Sequence, residues 1–194
     1  MAATDAFTVN IGDFERSVPL VAISPGVAIA YLDFLCDREL IHAAGRELAR
    51  LLAPLRPGCL VAPATGAIPL CYETSCALDV PYVILRKGVR GYMERTLSAP
   101  VRSAAAPTDE TLLVEERYLA LMKYSRVVLL DTVTTSGSTF DAMAALMRAV
   151  AVEPIARAVA FVEGESVDAR AYVHIGTLPR IELEGRRDHG LEEE

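Results

Sequence analysis

Residues 127–139, Val-Val-Leu-Leu-Asp-Thr-Val-Thr-Thr-Ser-Gly-Ser-Thr, put one carboxylate straight after four apolar residues and follow it with hydroxyl side chains and a glycine. The quartet Val127–Leu130 reads as a buried central strand ending at Asp131. Thr134, Thr135, Ser136, Gly137, Ser138 and Thr139 then offer hydroxyls and unencumbered backbone N–H groups. A helix beginning near Thr139 adds orphan N–H groups and a partial positive charge, so the loop suits a phosphate monoester. Asp131 must do something else, because a carboxylate repels phosphate. It can accept hydrogen bonds from sugar hydroxyls or hold the water shell of a metal. A carboxylate and an anion cradle one short loop apart read as a sugar-phosphate site. The loop has neither the Gly-Lys-Ser/Thr ending of a P-loop nor a G-x-G-x-x-G pattern. The same residue types also make an ordinary strand-to-helix connection with an N-cap, and composition alone leaves both readings open.

The stretch resembles the motif with which type I phosphoribosyltransferases bind PRPP (5-phosphoribosyl 1-diphosphate), and three further segments match in order. Pro63-Ala-Thr-Gly-Ala-Ile-Pro-Leu70 resembles the family's pyrophosphate loop. Arg86-Lys87-Gly-Val-Arg90-Gly-Tyr-Met93 resembles its basic stretch, and Phe161-Val-Glu-Gly164 with Leu178-Pro179 resembles the last core strand and hood of the purine-type members. The likeness covers residues 7–183. It implies that Thr134–Thr139 bind the 5-phosphate of PRPP and that Asp131 and Thr132 bind its ribose. Ala64, Thr65 and Gly66 would face the pyrophosphate, and Arg86, Lys87 and Arg90 would contact it too or reach in from the subunit interface. Asp131, Arg86 and Lys87 would carry catalysis, and residues 95–111 would form the loop that closes over the reaction. Mg2+ would arrive with PRPP as cofactor, with Asp131 as an indirect ligand through PRPP or water. Glu163 and Leu178 would contact the base. The implied activity is that of a glycosyltransferase (pentosyltransferase): a purine base, adenine first, displaces pyrophosphate. A homodimer is implied as well.

Three positions depart from the family pattern. Thr132 replaces the second acidic residue of the motif and supplies no charge toward a cation. Thr135 stands where many purine members carry Asp, and Gly66 where some pyrophosphate loops carry Lys or Arg. The alternative to an enzyme is therefore a PRPP- or nucleotide-binding regulatory protein with little turnover. Family regulators add a DNA-binding segment, and the few residues before Phe7 leave no room for a helix-turn-helix. Glu163 reads either as an acceptor for an exocyclic amine or as a solvated strand end. Leu178, Pro179 and Ile181 read either as base-covering hood residues or as edge-strand packing.

The elements that must position these residues alternate. Strands are expected at 7–11, 18–23, 59–62, 82–85, 112–114, 127–130 and 155–162, with one or two short ones in 172–183. Asp37 reads as the N-cap of a helix carrying Leu40, Ile41, Ala44, Leu48 and Leu52, and helices are expected over 68–78 and 140–150. Residues 86–110 read as a functional loop. The fold class is α/β: a Rossmann-like, mainly parallel sheet flanked by helices, the type I phosphoribosyltransferase fold with a small hood. One domain over 1–183 is expected, its hood built from the N-terminal strands and residues 164–183, followed by a charged tail at 184–194.

The chain has 194 residues, a formal net charge of −7 and 52% hydrophobic residues, which supports a core and excludes a disordered chain. The acidic balance argues for no nucleic acid partner. Yet residues 86–102 hold Arg86, Lys87, Arg90, Arg95 and Arg102 against the single carboxylate Glu94, a local basic segment suited to a dense anion. Mean hydropathy is +0.30, but the longest charge-free stretches, Ser17–Leu32 and Pro57–Tyr72, are 16 residues each and broken by Pro and Gly. A span needs about 20 apolar residues, so no membrane segment is expected. Cys36, Cys59, Cys71 and Cys76 have irregular spacing and no His partner at metal-ligand spacing, and read as cytoplasmic thiols. His42, His174 and His189 read as helix-face, strand and tail residues.

Overall fold

A computed structural model describes residues 6–101 and 110–182. Its centre is a five-stranded parallel sheet in the order β10-β9-β8-β4-β5, with β4 Cys59–Pro63, β5 Tyr82–Leu85, β8 Val127–Thr134, β9 Ala156–Glu163 and β10 Val173–Leu178. From β4 the chain steps outward to β5, and from β8 it steps the other way to β9 and β10. The strand order therefore reverses between β4 and β8, and the crevice at their carboxyl ends is where such sheets bind ligands. Ala64 follows β4, and Asp131 lies just beyond the part of β8 that pairs with β4.

Each face of the sheet is covered because successive strand residues point to opposite sides. Val127 and Leu129 join α4 (Ser138–Ala149), α3 (Leu119–Lys123) and β7 (Glu110–Glu115) in one apolar core. Val128 and Leu130 join α1 (Arg38–Leu52), α2 (Ile68–Leu78) and the N-terminal strands in the other. All four of these β8 residues are fully buried. Helix α1 buries Leu40, Ala44, Leu48 and Leu52, and its N-cap Asp37 accepts the Leu40 N–H at 3.0 Å.

The hood is a four-stranded antiparallel sheet, β1 (Ala6–Ile11), β2 (Phe14–Ser24), β3 (Val27–Ala30) and β11 (Arg180–Glu182). Arg16 on β2 ties it to α1, donating to Asp37 at 2.9 Å and Glu39 at 2.7 Å. Two expectations change here. Of the C-terminal hood segment only β11 joins the hood, because β10 pairs with β9 in the central sheet. Part of the loop expected over 86–110 is an antiparallel ribbon, β6 (Thr96–Val101) against β7, with Arg86 bridging to Leu113, while residues 87–95 form no strand. Its small and polar side chains hid the strands, since the ribbon is held by backbone pairing. Residues 102–109, hence Arg102 and part of the expected closing loop, lie outside the described residues, as do His189 and the tail. Strand β3 and helix α3 were also unforeseen. No helix among the described residues is long and apolar enough to cross a membrane.

Helices α1 and α2 touch closely at Gly45. A Cβ there would lie 2.5 Å from Glu73 Cγ, 2.7 Å from Glu73 Cβ and 3.2 Å from the Thr74 nitrogen. Gly45→Ala would ordinarily gain up to about 1 kcal/mol of helix propensity. Here overpacking dominates, and the expected outcome in urea denaturation is a net loss of about 1–3 kcal/mol. A stabilised variant would show that the helices separate freely.

Candidate active site

Two cavities open along the β4–β8 crevice. The larger, about 480 Å³, is bounded by Thr134–Thr139 on one side, by Ile23, Ile29 and Tyr31 of the hood on another, and by Glu163 and Arg180. The smaller, about 210 Å³, is lined by Ala64, Thr65, Gly66, Lys87, Asp131 and Thr132. Thr139 lines both.

Each cavity faces a helix N-terminus that no side chain caps. In α4 the cap residue is Gly137, at φ +76°, and it carries no capping side chain. Ser136 Oγ donates to Ser138 Oγ at 3.1 Å and accepts the Ser138 N–H at 3.4 Å, which folds the loop on itself. Of the N–H groups at the start of α4, that of Ser138 is thus turned back into the loop, and the cap position itself offers no side chain. Helix α2 begins at Ala67, again without a side-chain cap, after a loop in which the Ala64–Thr65 peptide is cis. The Ala64 N–H is spent on Leu85 O at 2.7 Å, and the Ile68 N–H on Thr65 O at 3.1 Å. The crevice thus carries two positive helix ends.

Asp131 stands between them, half-buried. Burial pushes its pKa up from 3.8 to about 6, against the opposing pull of the Thr132 N–H, which it accepts at 2.7 Å, and of the Lys87 ammonium. Such a carboxylate is short of hydrogen-bond donors and gains from sugar hydroxyls or a cation. Among the described residues no three His, Cys, Asp or Glu side chains converge on a metal position. A cation here must take most of its ligands from substrate and water, which fits Asp131 as an indirect ligand.

The remaining sequence-level candidates divide. Lys87 reaches the smaller cavity, whereas Arg86 and Arg90 are exposed and line neither. The Arg86 backbone exchanges hydrogen bonds with Leu113, and the Arg90 N–H donates to Met93 Sδ. Leu178 lies opposite Glu163 and so shares its face of the sheet, but it is packed in the core among α1 and hood residues and does not line the cleft. Glu163 is not a solvated strand end: it is 5% exposed and faces the larger cavity, paired with Arg180 at 3.4 Å. Sequence reasoning missed Arg180, Ile29 and Tyr31, whose only signal was their position in short hood strands. His42 pairs with Glu73 and His174 with Tyr172 O, both away from the crevice.

The raised pKa of Asp131 has a thermodynamic consequence. Its folded value, about 6, exceeds the unfolded 3.8, so the fold favours the protonated form, and stability is lost as pH rises through 6. Asp131→Asn keeps the acceptor for the Thr132 N–H without the charge. It is expected to stabilise the fold at pH 8 by up to about 3 kcal/mol and to leave it unchanged at pH 4. Chemical denaturation at the two pH values measures this, and an equal effect at both would show the carboxylate to be well solvated.

The comparisons with known proteins agree on one family. A model of the phosphoribosyl transferase domain matches residues 38–178. The purine biosynthesis transcriptional repressor PurR of Bacillus subtilis is 27% identical over 164 residues, covering 83% of this chain. The chain spans only 56% of the length of that repressor. The xanthine phosphoribosyltransferase of Brevibacillus brevis is 26% identical over 171 residues, 85% of this chain and 86% of that protein. In fold the chain is similar to adenine phosphoribosyltransferase from Thermoanaerobacter pseudethanolicus, with a TM-score of 0.68 and 18% identity over 82% of this chain and 95% of that one. It is also similar to the Giardia lamblia adenine enzyme complexed with 9-deazaadenine, with a TM-score of 0.65 and 18% identity over 89% and 93%. The match over most of the length, with the parallel sheet and hood, identifies the chain as a member of the phosphoribosyl transferase domain family.

Proposed function

We propose that the protein transfers the 5-phosphoribosyl group of PRPP to a purine base, giving a nucleoside monophosphate and pyrophosphate. The observation that carries the reading is the pair of adjacent cavities that share Thr139, each beside the N-terminus of a helix whose cap residue bears no capping side chain, with Asp131 lining the smaller. In this reading Thr134–Thr139 grip the 5-phosphate, and Asp131 and Thr132 take the ribose hydroxyls. Ala64–Gly66, Lys87 and the α2 N-terminus receive the pyrophosphate. The bond from C1 to the pyrophosphate oxygen breaks, leaving an oxocarbenium-like centre; the base nitrogen forms the new bond and releases its proton to water. A Mg2+ ion bound with PRPP would supply charge neutralisation to the leaving group, with Asp131 as an indirect ligand. The chain supplies alignment of the two ends of PRPP and positive potential where negative charge develops.

The base belongs between the apolar hood residues Ile23 and Ile29 and the polar pair Glu163–Arg180. Adenine suits that pair, since its exocyclic amine donates to Glu163 while the adjacent ring nitrogen accepts from Arg180. The names of the relatives, which include adenine and xanthine enzymes, support a purine. A cytoplasmic homodimer belongs to the same reading. Two cysteines are buried, and burial raises the Cys59 thiol to about 11 and the Cys71 thiol further, as for inert structural thiols. A second reading, a PRPP-responsive regulator without turnover, is favoured by the likeness to the PurR repressor and by Thr132.

Incubation with PRPP, Mg2+ and a panel of bases, read by mass spectrometry, separates the two. A nucleoside monophosphate is the expected product; PRPP binding by calorimetry with no product from any base selects the regulator. Glu163→Gln is expected to lower kcat/KM for adenine by about 10- to 100-fold, because the amide presents a donor to the amine. An unchanged value for adenine would remove Glu163 from base recognition.

A further inference from the structure

The phosphate-gripping loop is shaped from behind by a residue that does not line the cleft. We propose that Tyr172 is a positioning residue for this loop, its hydroxyl wedged against Gly137 so that the backbone N–H groups of the loop and of the first turn of α4 keep their anion-binding arrangement. The inference rests on the 5-phosphate reading above.

Three observations converge. A Cβ built on Gly137 would lie 2.8 Å from the Tyr172 hydroxyl oxygen and 3.5 Å from Val167 Cγ1, so the hydroxyl fills the outer side of the loop at its turning point. The Tyr172 ring is 8% exposed and meets Phe140 edge-on, with centroids 5.1 Å apart and planes at 62°. Phe140 is fully buried in the first turn of α4. One side chain therefore touches both the loop apex and the start of the helix, the two sources of N–H donors. Finally, Tyr172 is itself fixed. Asp168 accepts the Arg170 N–H at 3.0 Å and the Ala171 N–H on its carbonyl at 3.0 Å, and the Tyr172 N–H donates to Ala169 O at 3.0 Å. Strand β10 begins at the next residue.

The hydroxyl is the active part of this arrangement. A phenylalanine keeps the edge contact with Phe140 but leaves a gap behind Gly137, into which the loop can sag. Donors that must converge on one phosphate lose strength when they are free to rotate, so the loss appears as affinity. It falls on the ground state and the transition state alike, because the 5-phosphate is distant from the bond that breaks. Such uniform binding changes KM and spares kcat.

The test measures ribose 5-phosphate affinity by calorimetry, and KM for PRPP and kcat with saturating base, for the wild type, Tyr172→Phe, Gly137→Ala and the double variant, with thermal unfolding of each. Tyr172→Phe is expected to weaken ribose 5-phosphate and raise KM for PRPP by about tenfold, with kcat changed less than about twofold. Gly137→Ala is expected to weaken binding by about 100-fold, combining the clash with the unfavourable φ. In the Tyr172→Phe background its further effect should shrink to about tenfold, since the clash is gone and only the backbone strain remains. A Tyr172→Phe protein that melts lower yet binds ribose 5-phosphate like the wild type would make the residue merely structural and overturn the proposal. Full additivity of the two substitutions would overturn it too. A wild type that binds neither ribose 5-phosphate nor PRPP fails differently, because it removes the phosphate reading itself.

Discussion

A carboxylate within β8, directly after four residues that are dry on both faces, is the feature around which the crevice is organised. Val127 to Leu130 are fully buried, and β8 is pinned by β4 on one side and β9 on the other. Asp131 follows in register and cannot turn away from the gap between α2 and α4. Its ionisation is unfavourable there, and the Thr132 N–H and Lys87 offset this only in part. A fold selected for stability alone would place a neutral residue at this position. The retained carboxylate marks a site whose missing partners come from a ligand.

Much of this geometry was legible in the sequence because it depends on local periodicity. The apolar quartet before Asp131, the hydroxyl-rich loop, the Asp37 cap and the spacing of Leu40, Ala44, Leu48 and Leu52 are all short-range signals, and β8, α1, α2 and α4 follow them. What escaped is non-local. The β6–β7 ribbon is held by backbone pairing between segments whose side chains give no alternation worth reading. Arg180 meets Glu163 only because β11 crosses from the end of the central sheet into the hood. Leu178 shares a face with Glu163 but is covered by α1 and hood residues, packing between distant segments that a local pattern does not reveal. Arg86 and Arg90 were grouped with Lys87 by charge, yet only Lys87 reaches the cavity; the Arg86 backbone is committed to the bridge with Leu113.

That last difference bears on how an acidic chain can hold a dense anion. The net charge is −7, and one described cation, Lys87, lines the smaller cavity. The ends of α2 and α4 add about half an elementary charge each, from peptide dipoles that composition cannot reveal. Backbone donors keep their polarity at every pH, and they order the ligand without the entropy cost of immobilising long side chains.

The shared wall at Thr139 also determines how a ligand with two anionic ends would come and go. Once one end docks, the other is presented to its own cavity at a high effective concentration, so two modest grips act as one strong one. Cutting the ligand between its ends dissolves that linkage. Each fragment would then be held by one half of the crevice alone, so the proposed transfer would itself be the event that weakens retention.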